Sequence, residues 1–119
     1  MTWKPNKTRP VCPQICEQIC VRIVRGDLIP GERLPSVREF ALEIGVTPNT
    51  VQHAFELLEQ AQVLHSVRNV GWFATEDKTV AEHTVETMAR GKTTAFFEEM
   101  AQLGLDIATI KRFTEEWKE

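Results

Sequence analysis

The stretch Gly26-Asp27-Leu28-Ile29-Pro30-Gly31-Glu32-Arg33-Leu34-Pro35-Ser36-Val37-Arg38-Glu39-Phe40-Ala41 decides how the rest of the chain is read. Pro30-Gly31 is a strong turn pair, because glycine takes positive φ without steric cost. Ser36 and Glu39 stand three apart, the spacing of a capping box in which each side chain satisfies a free backbone N–H of the other. A tight connector thus runs directly into a helix start. Leu28 and Leu34 are expected to anchor the connector inward, and Val37, Phe40, Ala41 and Ile44 to form the buried helix face.

Reading outward, Gly45 supplies a left-handed helix stop. Only Val46 separates it from Thr47, which can cap a new helix whose first position is Pro48. That helix is predicted to run to about Gln60, burying Val51, Ala54, Phe55 and Leu58. Two short helices joined by a brief glycine-containing turn are a helix-turn-helix. Upstream, Pro13–Arg25 reads as a further helix. Ile15, Ile19 and Ile23 form one apolar stripe with Cys12 and Cys16 beside it, and Gly26 ends it. Downstream, Val63–Val67 and Gly71–Thr75 read as two strands around Arg68-Asn69-Val70, where Asn69 suits left-handed turn geometry. That hairpin would be a wing.

Beyond Thr79 the pattern is helical again. Val85, Met88, Ala89, Phe96, Met100 and Leu103 make a broken apolar stripe. Gly91 interrupts it at a cost of about 1 kcal/mol relative to alanine. Leu103-Gly104 stops this helix, and Asp106 can cap a last one carrying Ile107, Ile110, Phe113 and Trp117. The expected fold class is mainly α with a small β-hairpin wing. A winged helix-turn-helix domain occupies residues 10–76, and a two-helix dimerisation segment occupies 78–119.

Bulk properties narrow the functions. Hydrophobic residues make up 42% and charged residues 26% of the 119, an ordinary globular balance. No apolar run approaches the roughly 18 residues of a membrane helix, and no apolar stretch follows the first lysines as a secretory signal requires. These features point to the cytoplasm and to no membrane partner. The net charge of −3 is unevenly spread. Residues 1–75 hold eight Lys/Arg against seven Asp/Glu, and residues 76–119 hold six against ten. Phosphate binding scales with the number of placed cations, so one copy should grip DNA weakly and pairing of copies would be needed.

Cys12, Cys16 and Cys20 lie at i, i+4, i+8 on one helix, which is a semi-buried face rather than a disulfide framework or a four-ligand zinc site. His53, His65 and His83 fall in three different elements. Neither set predicts a metal or a cofactor. No nucleophile–base pair or phosphate-cradling glycine loop is present, so an enzyme is not expected.

The quoted stretch is similar to the GntR family of bacterial regulators. The likeness continues through Ile44-Gly45-Val46-Thr47-Pro48-Asn49-Thr50-Val51, Ala54-Phe55 and Leu58-Glu59, and ends at Gly71-Trp72-Phe73. The short tail resembles the YtrA-type branch, whose two C-terminal helices serve mainly to dimerise and whose members often control transporter operons. The resemblance implies a transcription regulator, in first reading a repressor, that binds double-stranded operator DNA as a homodimer. A small-molecule effector of unspecified chemistry is compatible with it. The alternative is a winged-helix protein-interaction module without DNA binding. Three departures stand out. Ala61-Gln62 replaces the usual acidic residue and glycine, so the turn into the wing is expected to differ. The wing tip holds one cation. Trp72 replaces a small residue.

A helix in the major groove reads bases with side chains near its N-terminal end. Here these are Thr47, Pro48, Asn49, Thr50, Gln52 and His53. Asn49 and Gln52 can pair bidentately with adenine. The resemblance implies that Arg38 meets DNA. Arg33 and Ser36 can hold phosphate near a helix N-terminus, and Arg68 with Asn69 forms the wing contact. Lys4, Lys7 and Arg9 read as a solvated lead-in. Met88, Phe96, Met100, Ile110, Phe113 and Trp117 are the expected dimer interface.

Overall fold

In the computed structural model, which describes residues 3–119, Pro13 stands in the first turn of α1 (Val11–Arg25). Gly26, at φ 86°, closes that helix by donating its N–H to the Ile23 carbonyl. α2 (Val37–Ile44) begins at Ser36 with both halves of the capping box made. α3 (Pro48–Gln60) begins at Thr47, with the proline at its first position. The three helices bury one another's apolar stripes. Ile15, Ile19 and Ile23 of α1, Phe40, Ala41 and Ile44 of α2, and Val51, Ala54, Phe55 and Leu58 of α3 are all sealed from solvent. Phe55 is the hub, meeting Phe40 edge-on at 5.5 Å between ring centres and Trp72 at 5.4 Å. Edge-to-face pairs of this kind add about 0.5–1.5 kcal/mol beyond area burial. The bulky Trp72 therefore extends the core into the wing.

The lead-in is pinned rather than solvated. Gln14 is buried, and its side-chain amide accepts from Asn6 N–H at 2.7 Å while donating to the carbonyls of Asn6 and Pro10. A buried amide demands such partners. Pro5 is buried, and Lys4 Nζ donates to the Glu43 carbonyl at 2.7 Å, although Lys7 and Arg9 remain exposed.

β1 (Leu64–Val67) and β2 (Gly71–Ala74) pair antiparallel in the register Leu64 with Ala74 and Val67 with Gly71. The connector after α1 adds a short third strand-like rung. Leu34 N–H donates to Trp72 O at 2.9 Å, Ala74 N–H donates to Glu32 O at 2.8 Å, and Arg33 bridges Phe73. Leu28 and Leu34 are buried beneath it.

The turn from α3 into β1 keeps its geometry despite the Ala61-Gln62 departure. Val63 N–H donates to Leu58 O and Gln62 N–H donates to Glu59 O, the two bonds of a Schellman stop, with Val63 and Leu58 both buried. Gln62 itself takes the left-handed position at φ 65°.

α4 (Lys78–Gln102) continues through Gly91 without a break, because its backbone bonds outweigh the weak propensity of one glycine. The chain forms two compact units, and the division falls inside α4, after Val85. Buried Ala81 belongs to the first unit. In the second unit, Gly104 turns the chain at φ 86° and Asp106 caps α5 (Ile107–Glu116), accepting from Thr109 N–H at 2.9 Å. No helix among the described residues is long and apolar enough to cross a membrane.

Candidate nucleic-acid interface

α3 has one sealed face and one open face. Thr47, Pro48, Asn49 and His53 are exposed, whereas Thr50 and Gln52 are half-buried. The first turn holds no acidic residue, so nothing local opposes the partial positive charge of its free N–H groups. Thr47 caps the helix by accepting from Thr50 N–H at 3.4 Å, and the two hydroxyl oxygens lie 2.9 Å apart. Thr47 thus does structural work at the same edge that faces outward. Gln52 donates one amide N–H to Glu56 Oε1 at 2.8 Å, which ties its orientation to the helix and leaves its second N–H and its carbonyl oxygen for other partners. Asn49 is the better placed of the two amides.

At the start of α2, Ser36 Oγ accepts from Glu39 N–H and Ser36 N–H donates to Glu39 Oε1, both at 3.1 Å. Hydrogen bonding by Ser36, assisted by the nearby Arg33 charge, holds the Glu39 carboxyl below its ordinary value. A carboxylate therefore occupies the helix end where phosphate was expected. Both the backbone N–H and the hydroxyl of Ser36 serve that carboxylate, so Ser36 is committed to the capping box rather than to an anion. Arg38, between Ser36 and Glu39 in sequence, is exposed, and the Glu39 carboxylate beside it is committed to Ser36.

Arg33 is turned onto the wing. Its guanidinium donates to the Val70 carbonyl, and a Cβ on Gly71 would lie 3.1 Å from its Nε. Gly71, at φ 149°, is the residue that permits this approach. Arg68 and Asn69 are exposed at the hairpin turn, where Asn69 adopts φ 64°. A contact the sequence did not reveal ties α3 to β1 of the wing. Glu59, in the last turn of α3, accepts from Ser66 N–H at 2.9 Å and from Ser66 Oγ at 2.8 Å. These bonds hold its carboxyl below the ordinary value. The Leu58-Glu59 pair belonged to the quoted family match, but the partner seven residues on carried no signature of its own.

The thiols are structural in environment. Cys16 Sγ donates to Ala54 O at 3.6 Å, and burial pushes the Cys16 thiol up to about 12 and Cys20 to about 11. Among the described residues no three His, Cys, Asp or Glu side chains cluster in a way that could hold a metal ion.

In the second unit, Phe96, Phe113 and Trp117 are exposed and, with Thr114, line a concavity of about 430 Å³, while Met88 and Met100 are half-buried. Ile110, expected at the interface, is instead 1% exposed. Its side chain is already covered within a single copy of the chain. Exposed Leu103 and Ile107, outside the expected interface set, add to the apolar surface.

Residues 13–74 match the model of the bacterial regulatory proteins, gntR family. The chain belongs to the GntR family. This GntR-family chain is similar to two regulators of Bacillus subtilis (strain 168). It is 35% identical to the uncharacterized HTH-type transcriptional regulator YhcF, over 92% of this chain and 94% of that one. It is 33% identical to the HTH-type transcriptional repressor YtrA, over 86% and 74%. Among solved structures, a GntR family transcriptional regulator from Listeria monocytogenes superposes with a TM-score of 0.75 at 32% identity, covering 96% of this chain and all of that one. The DNA-binding domain of AraR in complex with operator ORX1 superposes with a TM-score of 0.54 at 26% identity, over 60% and 87%. The GntR assignment makes the chain a DNA-binding transcription regulator, and the YtrA likeness extends through most of the tail.

Proposed function

We propose that this chain is a homodimeric repressor. Two copies, joined through their tails, set the N-terminal ends of α3 into successive major grooves of a palindromic operator. The observation that carries this reading is the open face of α3: Asn49 and His53 point outward beside a capped, carboxylate-free first turn, while the opposite face is sealed into the core. Arg38 on α2 and Arg68 on the wing supply the flanking cations. AraR, whose domain shares the fold, is seen on its operator, and YtrA is a repressor by name. Pairing is supported by the exposed apolar surface of the second unit, where Leu103 is 74% and Trp117 72% exposed. Contiguous apolar surface of this kind marks association. Pairing also doubles a cation count that one copy keeps low.

The test combines light scattering with selection of bound duplex from a random pool. A dimer at micromolar concentration and a palindrome with half-sites about one helical turn apart are expected. Arg38→Ala and Asn49→Ala should each weaken binding by about tenfold or more, with Asn49→Ala relaxing preference at one base position. A stable monomer, or enriched sequences lacking two-fold symmetry, would overturn the proposal. Failure to bind any duplex would favour the protein-interaction reading instead.

A further inference from the structure

The wing carries one cation. Arg68 is the only Lys or Arg between Val63 and Thr75. Its grip on a phosphate or a minor groove therefore depends on where the hairpin is held, since no second charge can compensate for a misplaced tip. A two-stranded hairpin is at best marginal alone in water, so its direction must be set from outside. Backbone bonds to the connector and the Phe55–Trp72 ring contact seat it, and two polar side-chain ties add to them. Arg33 fixes the tip through the Val70 carbonyl, two residues past Arg68. Glu59 fixes the rung next to the tip by receiving both the N–H and the hydroxyl of Ser66, two residues before Arg68. The second tie is the unusual one. It starts on the reading helix, so together with the Phe55–Trp72 contact it sets the wing relative to α3 and not merely relative to the connector. It also keeps a carboxylate near a surface that must approach phosphate, which costs binding unless the carboxylate does something in return.

We infer that Glu59 is a positioning residue for DNA binding: by holding Ser66 from the last turn of α3, it determines where Arg68 meets the duplex backbone. This rests on the proposed reading that the wing touches DNA. Glu59 itself touches no base or phosphate. Both bonds from Ser66, the backbone N–H and the hydroxyl, end on one carboxylate oxygen, Oε2.

The experiment is a set of operator titrations across a salt series with full-length wild type, Arg68→Ala, Glu59→Ala, Glu59→Gln, Ser66→Ala and the Glu59→Ala/Arg68→Ala double variant. Arg68→Ala should weaken binding about three- to tenfold and lower the slope of log affinity against log salt by about one, as loss of one phosphate contact does. Glu59→Ala should reproduce that slope change, yet weaken the Arg68→Ala background less than about twofold. Glu59→Gln keeps an acceptor oxygen for Ser66 and should retain the wild-type slope. If Glu59 only repelled phosphate, both Glu59 variants would bind more tightly than wild type, and the inference would be overturned. Equal losses from Glu59→Ala with and without Arg68 would overturn it too, because the two residues would then act independently. Should Glu59→Ala fail to fold by urea titration, Glu59→Leu, which fills the space without an acceptor, carries the same comparison, and Ser66→Ala, which keeps the backbone N–H bond, should show a smaller loss. An Arg68→Ala variant with unchanged affinity and slope would instead sink the reading of the wing on which the inference stands, whatever Glu59 does.

Discussion

Replacing Gln62 with glycine should make the protein more stable. Gln62 closes α3 at φ 65°, a left-handed conformation in which an L-residue's Cβ crowds its own carbonyl. That conformation costs roughly 1–2 kcal/mol for a residue with a side chain. Glycine escapes the cost but gives back part of it, because its unfolded chain is freer by about 0.5–1 kcal/mol. The difference leaves a net gain of about 0.5–1 kcal/mol, or a rise in melting temperature of about 2–6 °C for a domain of this size. The two Schellman bonds, Val63 N–H to Leu58 O and Gln62 N–H to Glu59 O, use only backbone and survive the change. The Gln62 side chain is exposed, so nothing buried is removed. Urea unfolding is the assay, with the midpoint expected to rise at unchanged m-value. Two companions sharpen it. Gln62→Asn should fall between glutamine and glycine, since asparagine tolerates this region. Gln62→Val should lose about 1–2 kcal/mol, since a β-branched residue fits it worst. A glycine variant no more stable than wild type, or a valine variant as stable, would refute the claim that backbone strain resides at this turn.

Further outcomes follow from local chemistry. Gly91→Ala should stabilise by about 0.5–1 kcal/mol by urea unfolding, because Gly91 is helical within α4 and a Cβ there meets nothing within 4 Å; a loss would show that the helix face at Gly91 is covered in the working assembly. Of the three cysteines, half-buried Cys12 should react first with iodoacetamide at about pH 8 in the native protein, with all three reacting in urea, since burial raises all three thiols but Cys16 and Cys20, sealed from solvent, the most. Native labelling of Cys20 at the Cys12 rate, read by mass spectrometry, would contradict this. Glu39, Glu59, Asp77 and Asp106 each hold their carboxyls below ordinary values through donated hydrogen bonds. Their stabilisation is complete above the unfolded carboxylate range, near pH 4, and is lost as pH falls through the lower native values. Melting temperature should therefore fall from about pH 5 towards about pH 3, less steeply in Glu59→Gln, and an identical slope in that variant would remove Glu59 from the account.

What the sequence announced, and what it concealed, divides along the range of the interactions involved. Ser36 with Glu39, Thr47 with Pro48, and Asp106 before Ile107 are signals spanning three residues or fewer, and each capped the helix it promised. Periodic apolar stripes likewise placed Ile15, Phe55 and Leu58 in the core. The open face of α3 was legible for the same reason, since it is what remains when the stripe is subtracted. Arg33 and Gln52 were harder, because a polar side chain at a helix end or on an open face is equally suited to DNA and to a neighbour. One found the Val70 carbonyl and the other found Glu56. Ile110 misled in the opposite sense: apolar and correctly spaced, it was covered within a single copy of the chain before any second copy could use it.

The Ala61-Gln62 turn shows why departure from a family pattern is a poor guide to changed structure. Losing glycine at a left-handed position suggests that the turn must be rebuilt. Rebuilding would have to give up the burial of Val63 and Leu58 and two backbone bonds. Full burial of a Val or Leu side chain alone is worth about 1.5–3 kcal/mol, whereas one residue in left-handed strain costs roughly 1–2. The comparison favours keeping the turn and straining Gln62, and that is the geometry found. The wing therefore leaves α3 by the same backbone path that glycine would give, and the side chains that brace it further on are Glu59, through Ser66, and Arg33, through Val70.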